Sequence, residues 1–304
     1  MPESPTMPRI ALVTVTYNGE TVWPEFLDSL LSQQAVDWHL VVVDNASTDG
    51  TIAMVHAAQD ARITLIANDR NVGVAEGNNQ GTRWALDHGY GEILLINNDT
   101  AFGPDLLYRL SCTLAHSGAG AVSALIPYYD QPGISWYSGG HFSKFRGMLS
   151  IHDGQDQPIA ISYTTFSTDY APTCCVLFSA QVFDKIGLMD ERYFVYWDDV
   201  DFLWRMKRAG ISIVVDPAAI MLHKVSISTG GRQSDFSIRY SHRNQIYFAR
   251  KFFGPAYASY VTAFTAGIGL GRVVLAKDTW RQWRLRLKSV AEGWRMPLPA
   301  RSAA

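Results

Sequence analysis

Hydrophobic and polar positions alternate in blocks along the first 125 residues, and the block lengths predict strands and helices in turn. Residues 10–16 are rich in β-branched side chains and read as a strand. Trp23, Phe26, Leu27, Leu30 and Leu31 then recur at helical spacing, with Pro24 suited to a first turn. LVVVD, residues 40–44, is a continuous apolar run, as expected of a strand covered on both faces. NASTDGT turns the chain, and Ser47 or Asp49 is expected to cap a helix over 51–59. The pattern continues with a strand at 63–67, a helix at 75–87, a strand at 92–97, a helix at 104–116 and a strand at 121–125. Alternation with short connections predicts an α/β fold whose doubly wound sheet is mostly parallel.

From 127 to 169 the rhythm changes. Gly, Ser, Tyr and Asp become frequent, and irregular strands or hairpins are expected. PTCCVLFSA reads as a buried strand and 181–186 as a short helix. A helix over 201–209 would turn Phe202, Leu203 and Met206 inward. ISIVVD is a further strand, 219–222 another, and two or three helices follow from Phe236. The division expected is 8–234 as one catalytic unit and 235–304 as a helical extension.

Composition narrows the class. Nearly half of the 304 residues are hydrophobic, enough for a sizeable core, and the net charge of −2 leaves no footprint for nucleic acid. Cys112, Cys174 and Cys175 form no disulfide framework or metal spacing, which points to plain burial in a reducing compartment. The N-terminal MPESPTMPRI lacks the basic and apolar regions of a signal peptide. Residues 255–276 have the length of a membrane span, but Arg272 and many small or hydroxyl residues make them buried or interfacial instead. A cytoplasmic location is expected.

Ligands of doubly wound sheets sit beyond the carboxyl ends of the strands. Four polar clusters fall at those ends: Thr16-Tyr17-Asn18, Asp44-Asn45, 68–78 and Asn97-Asn98-Asp99. Each alone is an ordinary turn former. Asp44 could accept the N3–H of a uracil or thymine ring, or simply close an Asx-turn. NVGVAEGNNQG places three glycines before a helix, where backbone can approach a phosphate. Asp99, in INNDT, could hold Mg²⁺ or Mn²⁺ on a diphosphate, or could be a turn residue. His223 could be a second ligand, favouring Mn²⁺, or a structural histidine. SISTGGRQS after it reads as a polar loop able to close over phosphates.

The segment YFVYWDDVDFLWRMKRAG carries Asp198, Asp199 and Asp201 between an aromatic run and a helix. A helix start uses one or two carboxylates, so a third suggests chemistry. Asp199 is the first candidate for a general base that deprotonates an acceptor hydroxyl, and Asp198 the second. Tyr196 and Trp197 could offer apolar faces to a sugar. Asp201 is expected to be structural, paired with Arg205 one turn on.

Taken in order, VTVTYNGE, VVVDNASTDGT, NVGVAEGNNQG, INNDT, GLMDERYFVYWDDVDFLWRMKRAG, HKVSISTGG and RYSHRNQIYFARK resemble the motifs of family 2 glycosyltransferases of the GT-A fold, in the rhamnosyltransferase-like and galactofuranosyltransferase-like branch. The resemblance implies an inverting transfer from a nucleotide-diphosphate sugar (dTDP-rhamnose or a UDP-hexose) to a glycan or lipid-linked acceptor. It implies nucleotide contacts at Thr16, Tyr17, Asn18, Asp44, Asn71, Gly73 and Asn97. It further implies metal ligands at Asp99 and His223 and a base at Asp199. The motif Asn97-Asn98-Asp99 has one carboxylate where the family often has more, and Asp198-Asp199 stands where Glu-Asp is commoner. Two other readings compete: a nucleotide-sugar-binding protein without catalysis, and a sugar-phosphate nucleotidyltransferase. TYNGE at 16–20 lacks the basic Gly-rich loop the latter needs. The C-terminal WRQWRLRLKSVAEGWR suits an anionic membrane interface, an ordinary packed helix, or a homodimer contact.

Overall fold

The computed structural model describes residues 7–160, 162–225 and 234–299. Seven short connections carry the chain through β1 (Arg9–Thr16), α1 (Trp23–Leu31), β2 (Asp37–Asp44), α2 (Thr51–Ala57), β3 (Ile63–Ala67), α3 (Val74–Asp87), β4 (Glu92–Ile96) and β5 (Thr100–Phe102). Then come α4 (Leu106–Ser117), β6 (Ala121–Pro127), β7 (Ser135–Tyr137), β8 (Gly140–Ser143), β9 (Leu149–His152), β10 (Phe166–Thr168) and β11 (Cys175–Ser179). α5 (Ala180–Ile186), α6 (Asp198–Arg208), β12 (Ile213–His223), α7 (Asp235–Val274) and α8 (Trp280–Arg295) complete it.

The main path of the sheet runs β10-β12-β6-β11-β4-β1-β2-β3. The β4-β1-β2-β3 half is parallel throughout and its strands are filled with Ile, Leu and Val, as double coverage by helices requires. β11 lies antiparallel to both β4 and β6, so the sheet is mixed at its centre. An apolar run reads the same in either direction, so nothing in PTCCVLFSA marked that reversal.

Several local expectations shift. Ser47 caps nothing; its hydroxyl accepts the Asn18 N–H at 2.8 Å, and Asp49 Oδ1 accepts the Thr51 N–H at 3.1 Å. ISIVVD and 219–222 are one strand, β12, with a register shift between Asp216 and Ile220. α6 begins at Asp198 rather than 201, so all three carboxylates occupy its first turn. Phe202, Leu203 and Met206 are fully buried as expected. α7 is broken at Gly254, whose φ of 81° and following Pro255 interrupt the helix, giving three helical runs at the C-terminal end.

α7 is not peripheral. Tyr247 and Phe248 belong to the main core, while Ile246, Ala249, Ala258, Val261 and Val290 form a second, smaller core with α8. Among the described residues no helix is long and apolar enough to cross a membrane. Cys174 and Cys175 are free, buried thiols, and burial pushes that of Cys175 up to about 12.

Candidate active site

The ends of β1, β2 and β4 meet at one rim. Thr16 is buried and its hydroxyl accepts from Asn98 Nδ2 at 2.9 Å. Asn18, with φ of 52°, receives the Thr48 N–H on its Oδ1 at 2.8 Å and so ties the first loop to the second. Tyr17 is 48% exposed beside them. Asp44 is fully buried; its Oδ2 accepts the Ser47 N–H at 2.9 Å, while its Oδ1 is buried with no partner in the protein. The turn bond thus uses one oxygen of the carboxylate and leaves the other open. An orphaned buried acceptor costs free energy unless a donor arrives.

Asn71 is exposed and its Oδ1 accepts the Gly73 N–H at 3.0 Å. Gly73 has φ of 90°, and a Cβ there would lie 2.4 Å from the Phe194 carbonyl oxygen. Val74 donates its N–H to that same oxygen at 2.5 Å. The glycine loop thus abuts the segment that precedes the acidic cluster, and its glycine is needed for backbone approach to backbone. Asn97, the expected nucleotide contact, is exposed; Asn98, named with it in the same strand-end cluster, is the buried member of the pair.

Asp99 and His223 are brought together by β5 and β12, which pair antiparallel with Thr100 opposite His223. Asp99 Oδ1 lies 3.2 Å from His223 Nε2, both side chains are under a tenth exposed, and that oxygen has no geometrically satisfied hydrogen bond. Burial pushes the Asp99 carboxyl up, but the adjacent His223 and Asn97 outweigh it and hold the group below its usual range. Among the described residues no cluster of three or more His, Cys, Asp or Glu could hold a metal by itself. A pair with an open acceptor does fit a divalent ion whose remaining ligands are diphosphate oxygens and water. The loop SISTGGRQS lies for the most part outside the described residues.

The acidic cluster stands on a strained loop. Phe194, Tyr196 and Trp197 have φ of 65°, 60° and 70°, a left-handed region that costs bulky residues about 1–3 kcal/mol each unless the surroundings enforce it. Asn244 of α7 enforces it. Its Nδ2 reaches the carbonyl oxygens of Tyr193, Val195 and Tyr196 at 2.9, 2.8 and 2.8 Å. The loop delivers Asp198 and Asp199 to the N-terminus of α6, where the helix dipole favours negative charge. Asp199 accepts the Val200 N–H on Oδ1 at 2.7 Å and the Tyr170 hydroxyl on Oδ2 at 2.5 Å. Burial raises the Asp199 carboxyl, opposed by those two bonds. Asp198 is pushed up to about 8, by burial first and by the charge of Asp199 second.

Asp201 is a structural residue, as the sequence suggested. It is fully buried, accepts from Arg205 Nε at 2.8 Å and pairs with Lys251 Nζ at 2.5 Å. The aromatic pair divides: Trp197 is 5% exposed and packs on Phe248 in the core, whereas Tyr196 is half-buried with its hydroxyl 2.9 Å from Ser237 Oγ. Tyr170 carried no signal that periodicity or motif spacing could reveal; Asn244 lies in the motif RYSHRNQIYFARK, but nothing in the sequence marked its three carbonyl partners.

The Asp99–His223 pair and the acidic pair are parts of one contiguous group. Trp136 meets His223 edge-on at 4.6 Å and His152 at 4.7 Å; His152 stacks on Tyr170, which bonds Asp199. Sheet, rim and acidic helix start define a glycosyltransferase of the GT-A fold. The chain belongs to glycosyl transferase family 2, whose model matches residues 11–187, more than half of its length.

Its similarities to individual proteins agree. It is 27% identical over 219 residues to the dTDP-rhamnosyl transferase RfbF of Shigella flexneri, covering 71% of this chain and 69% of that one. It is 24% identical over 308 residues to the N-acetylglucosaminyl-diphospho-decaprenol L-rhamnosyltransferase of Mycobacterium tuberculosis, covering 93% and 98%. Among solved structures, GalNAc-T7 with UDP, GalNAc and Mn²⁺ superposes with a TM-score of 0.66 at 12% identity. That match spans 94% of this chain and 55% of the other. At that identity the likeness is one of fold.

Proposed function

We propose that the protein is an inverting glycosyltransferase that moves a sugar, with dTDP-rhamnose the first choice of donor and a UDP-hexose the second, to a hydroxyl of a glycan or lipid-linked acceptor. The observation that carries this reading is Asp199: a carboxylate at a helix N-terminus, held by two donors, within the same group of contacts as the Asp99–His223 pair. The orphaned Oδ1 of Asp44 supports a pyrimidine base with an N3–H, which uracil and thymine both offer. Thr16, Tyr17, Asn18, Asn71, Gly73 and Asn97 border the nucleotide, and Tyr196 rather than the buried Trp197 faces the acceptor.

Asp199 takes the acceptor hydroxyl proton as that oxygen attacks the anomeric carbon. The bond from that carbon to the diphosphate oxygen breaks, and the nucleoside diphosphate leaves with the electron pair, inverting the centre. Asp99 and His223 would hold Mn²⁺ or Mg²⁺, which supplies positive charge to the leaving diphosphate. Reaction on the cytoplasmic side, with peripheral contact to an anionic membrane, is part of the same proposal. Val274, Leu275 and Trp280 are exposed beside Lys277 and Arg281 where α7 meets α8.

The test is a thermal-shift panel of UDP, dTDP, GDP and their sugars, each with and without Mn²⁺. A Mn²⁺-dependent rise with one UDP- or dTDP-sugar is expected. Stabilisation by GDP-sugars alone would overturn the pyrimidine assignment, and no shift with any of them would favour a non-catalytic protein.

A further inference from the structure

We propose that Tyr170 is a positioning residue for the base, its hydroxyl fixing which oxygens of Asp199 remain open to the acceptor. This rests on the reading of Asp199 as the base. Asp199 has two acceptor oxygens, and each already holds one donor: the Val200 N–H on Oδ1 and the Tyr170 hydroxyl on Oδ2. Two bonds, one to each oxygen, hold the carboxylate in place. What remains for a substrate is the lone pair each oxygen has left. Without the phenol, rotation about the Cβ–Cγ bond would carry the basic oxygen away from its line of attack.

Tyr170 is built to hold still. It is 4% exposed, and its N–H donates to the Gly140 carbonyl at 3.1 Å. Its own carbonyl accepts from the Tyr137 hydroxyl at 2.7 Å and the Thr168 hydroxyl at 2.9 Å. The ring is stacked on His152 at 5.8 Å and met edge-on by Phe142 at the same distance. All of these partners belong to the irregular insert between β6 and β11. Trp136, from that insert, also packs on His223. A segment with no recognisable motif therefore braces both the base and the histidine of the metal pair.

The phenol is a donor at every accessible pH, because burial and then the charge of Asp199 raise it well above its usual value. A donor stabilises the ionised carboxylate. Among the described residues, the charges of Asp198 beside it on α6 and Cys174 ahead of β11 act against that of Asp199, His152 stacks on the Tyr170 ring, and Ser150 of β9 also reaches the Tyr170 hydroxyl. The tyrosine hydroxyl, bonded directly to Asp199, favours its ionised form.

The experiment follows dTDP release from dTDP-rhamnose with Mn²⁺, water serving as the acceptor whose proton Asp199 takes, across pH for wild type, Tyr170→Phe, Asp199→Asn and the double variant. The expected result for Tyr170→Phe is an acidic limb of kcat/KM moved up by about one pH unit. Turnover should fall by up to roughly tenfold at pH values below the limb and recover on its alkaline side, with donor KM unchanged. Added to Asp199→Asn, the same change should do nothing further. An unshifted limb with wild-type turnover overturns the proposal while leaving the base assignment intact. Near wild-type turnover by Asp199→Asn overturns the base assignment and the proposal with it. Should Tyr170→Phe fail to fold, 3-fluorotyrosine at 170 keeps the ring and strengthens the donor. It should move the limb to lower pH, and no movement overturns the proposal.

Discussion

Two adjacent carboxylates, Asp198 and Asp199, share one helix start and yet are expected to answer substitution differently. Asp199→Asn removes the proposed base and should lower turnover by about 10²–10⁴-fold with donor binding kept, read by kinetics beside a thermal shift. Asp198 is pushed up to about 8, so it carries a proton at neutral pH and an asparagine imitates that state. Asp198→Asn should keep most activity at pH 7. Its effect on stability has a definite sign. Between the ordinary carboxylate value near 4 and 8, the folded protein holds a proton the unfolded chain has lost, so stability falls as pH rises through that window. Asp198→Asn abolishes the loss, and its melting temperature should pull ahead of wild type from pH 5 to pH 9. A constant gap across that range would refute the assignment. Asp44 shows how far one residue could be read from sequence: the expected turn bond is present on Oδ2, and burial leaves Oδ1 without a protein partner.

At the scale of elements, the strained loop before α6 depends on two distant contacts, Gly73 of the glycine loop and Asn244 of α7. Gly73→Ala loses a residue tolerant of φ 90° and drives a methyl group into the Phe194 carbonyl. It should destabilise by about 1–3 kcal/mol and depress kcat, measured by denaturant unfolding and steady-state kinetics. Asn244→Ala strips the donor from three carbonyls and should cost roughly 2–4 kcal/mol, with kcat falling more than donor KM changes. The alternating half of the sheet was legible because strand and helix periods differ and their lengths fit βαβ units. The direction of β11 was not, since a buried apolar strand carries no polarity. Nor was β5: three residues, TAF, make no pattern, yet their pairing with β12 is what sets Asp99 against His223.

For the whole molecule, α7 and α8 bind the acidic loop to the C-terminal end through a buried network. Lys251 bridges Asp190 at 2.8 Å and Asp201 at 2.5 Å, and Asp278 pairs with Arg272 and Arg286 at 2.9 and 2.7 Å. His242, buried near Arg286, is pushed down to about 4, by burial first and that cation second. The unfolded chain binds a proton there near 6.5 that the folded chain refuses, so stability is complete above 6.5 and is lost as pH falls toward 4. The loss should reach about 2–3 kcal/mol by pH 4, and His242→Gln should flatten that limb in a pH series of melting curves. Two of the tryptophans of α8 are committed to packing: Trp283 donates to the Ala266 carbonyl and Trp294 to the Thr262 hydroxyl. Trp280 is 57% exposed next to Val274 and Leu275. If that tip meets anionic lipid, replacing all three with serine should abolish salt-sensitive co-sedimentation with phosphatidylglycerol vesicles while leaving donor binding intact.

The sequence by itself determined the class: the alternation of periods, the polar residues at strand ends and the three carboxylates at a helix start are local facts, carried by neighbours along the chain. What the tertiary structure decided is everything that depends on residues far apart. That includes the antiparallel strand at the centre of the sheet, the meeting of Asp99 with His223, the burial of Trp197 and the phenol of Tyr170 on Asp199. Such contacts arise because a close-packed core must satisfy every buried polar group with whatever partner the topology brings near, and no periodicity encodes which partner that will be.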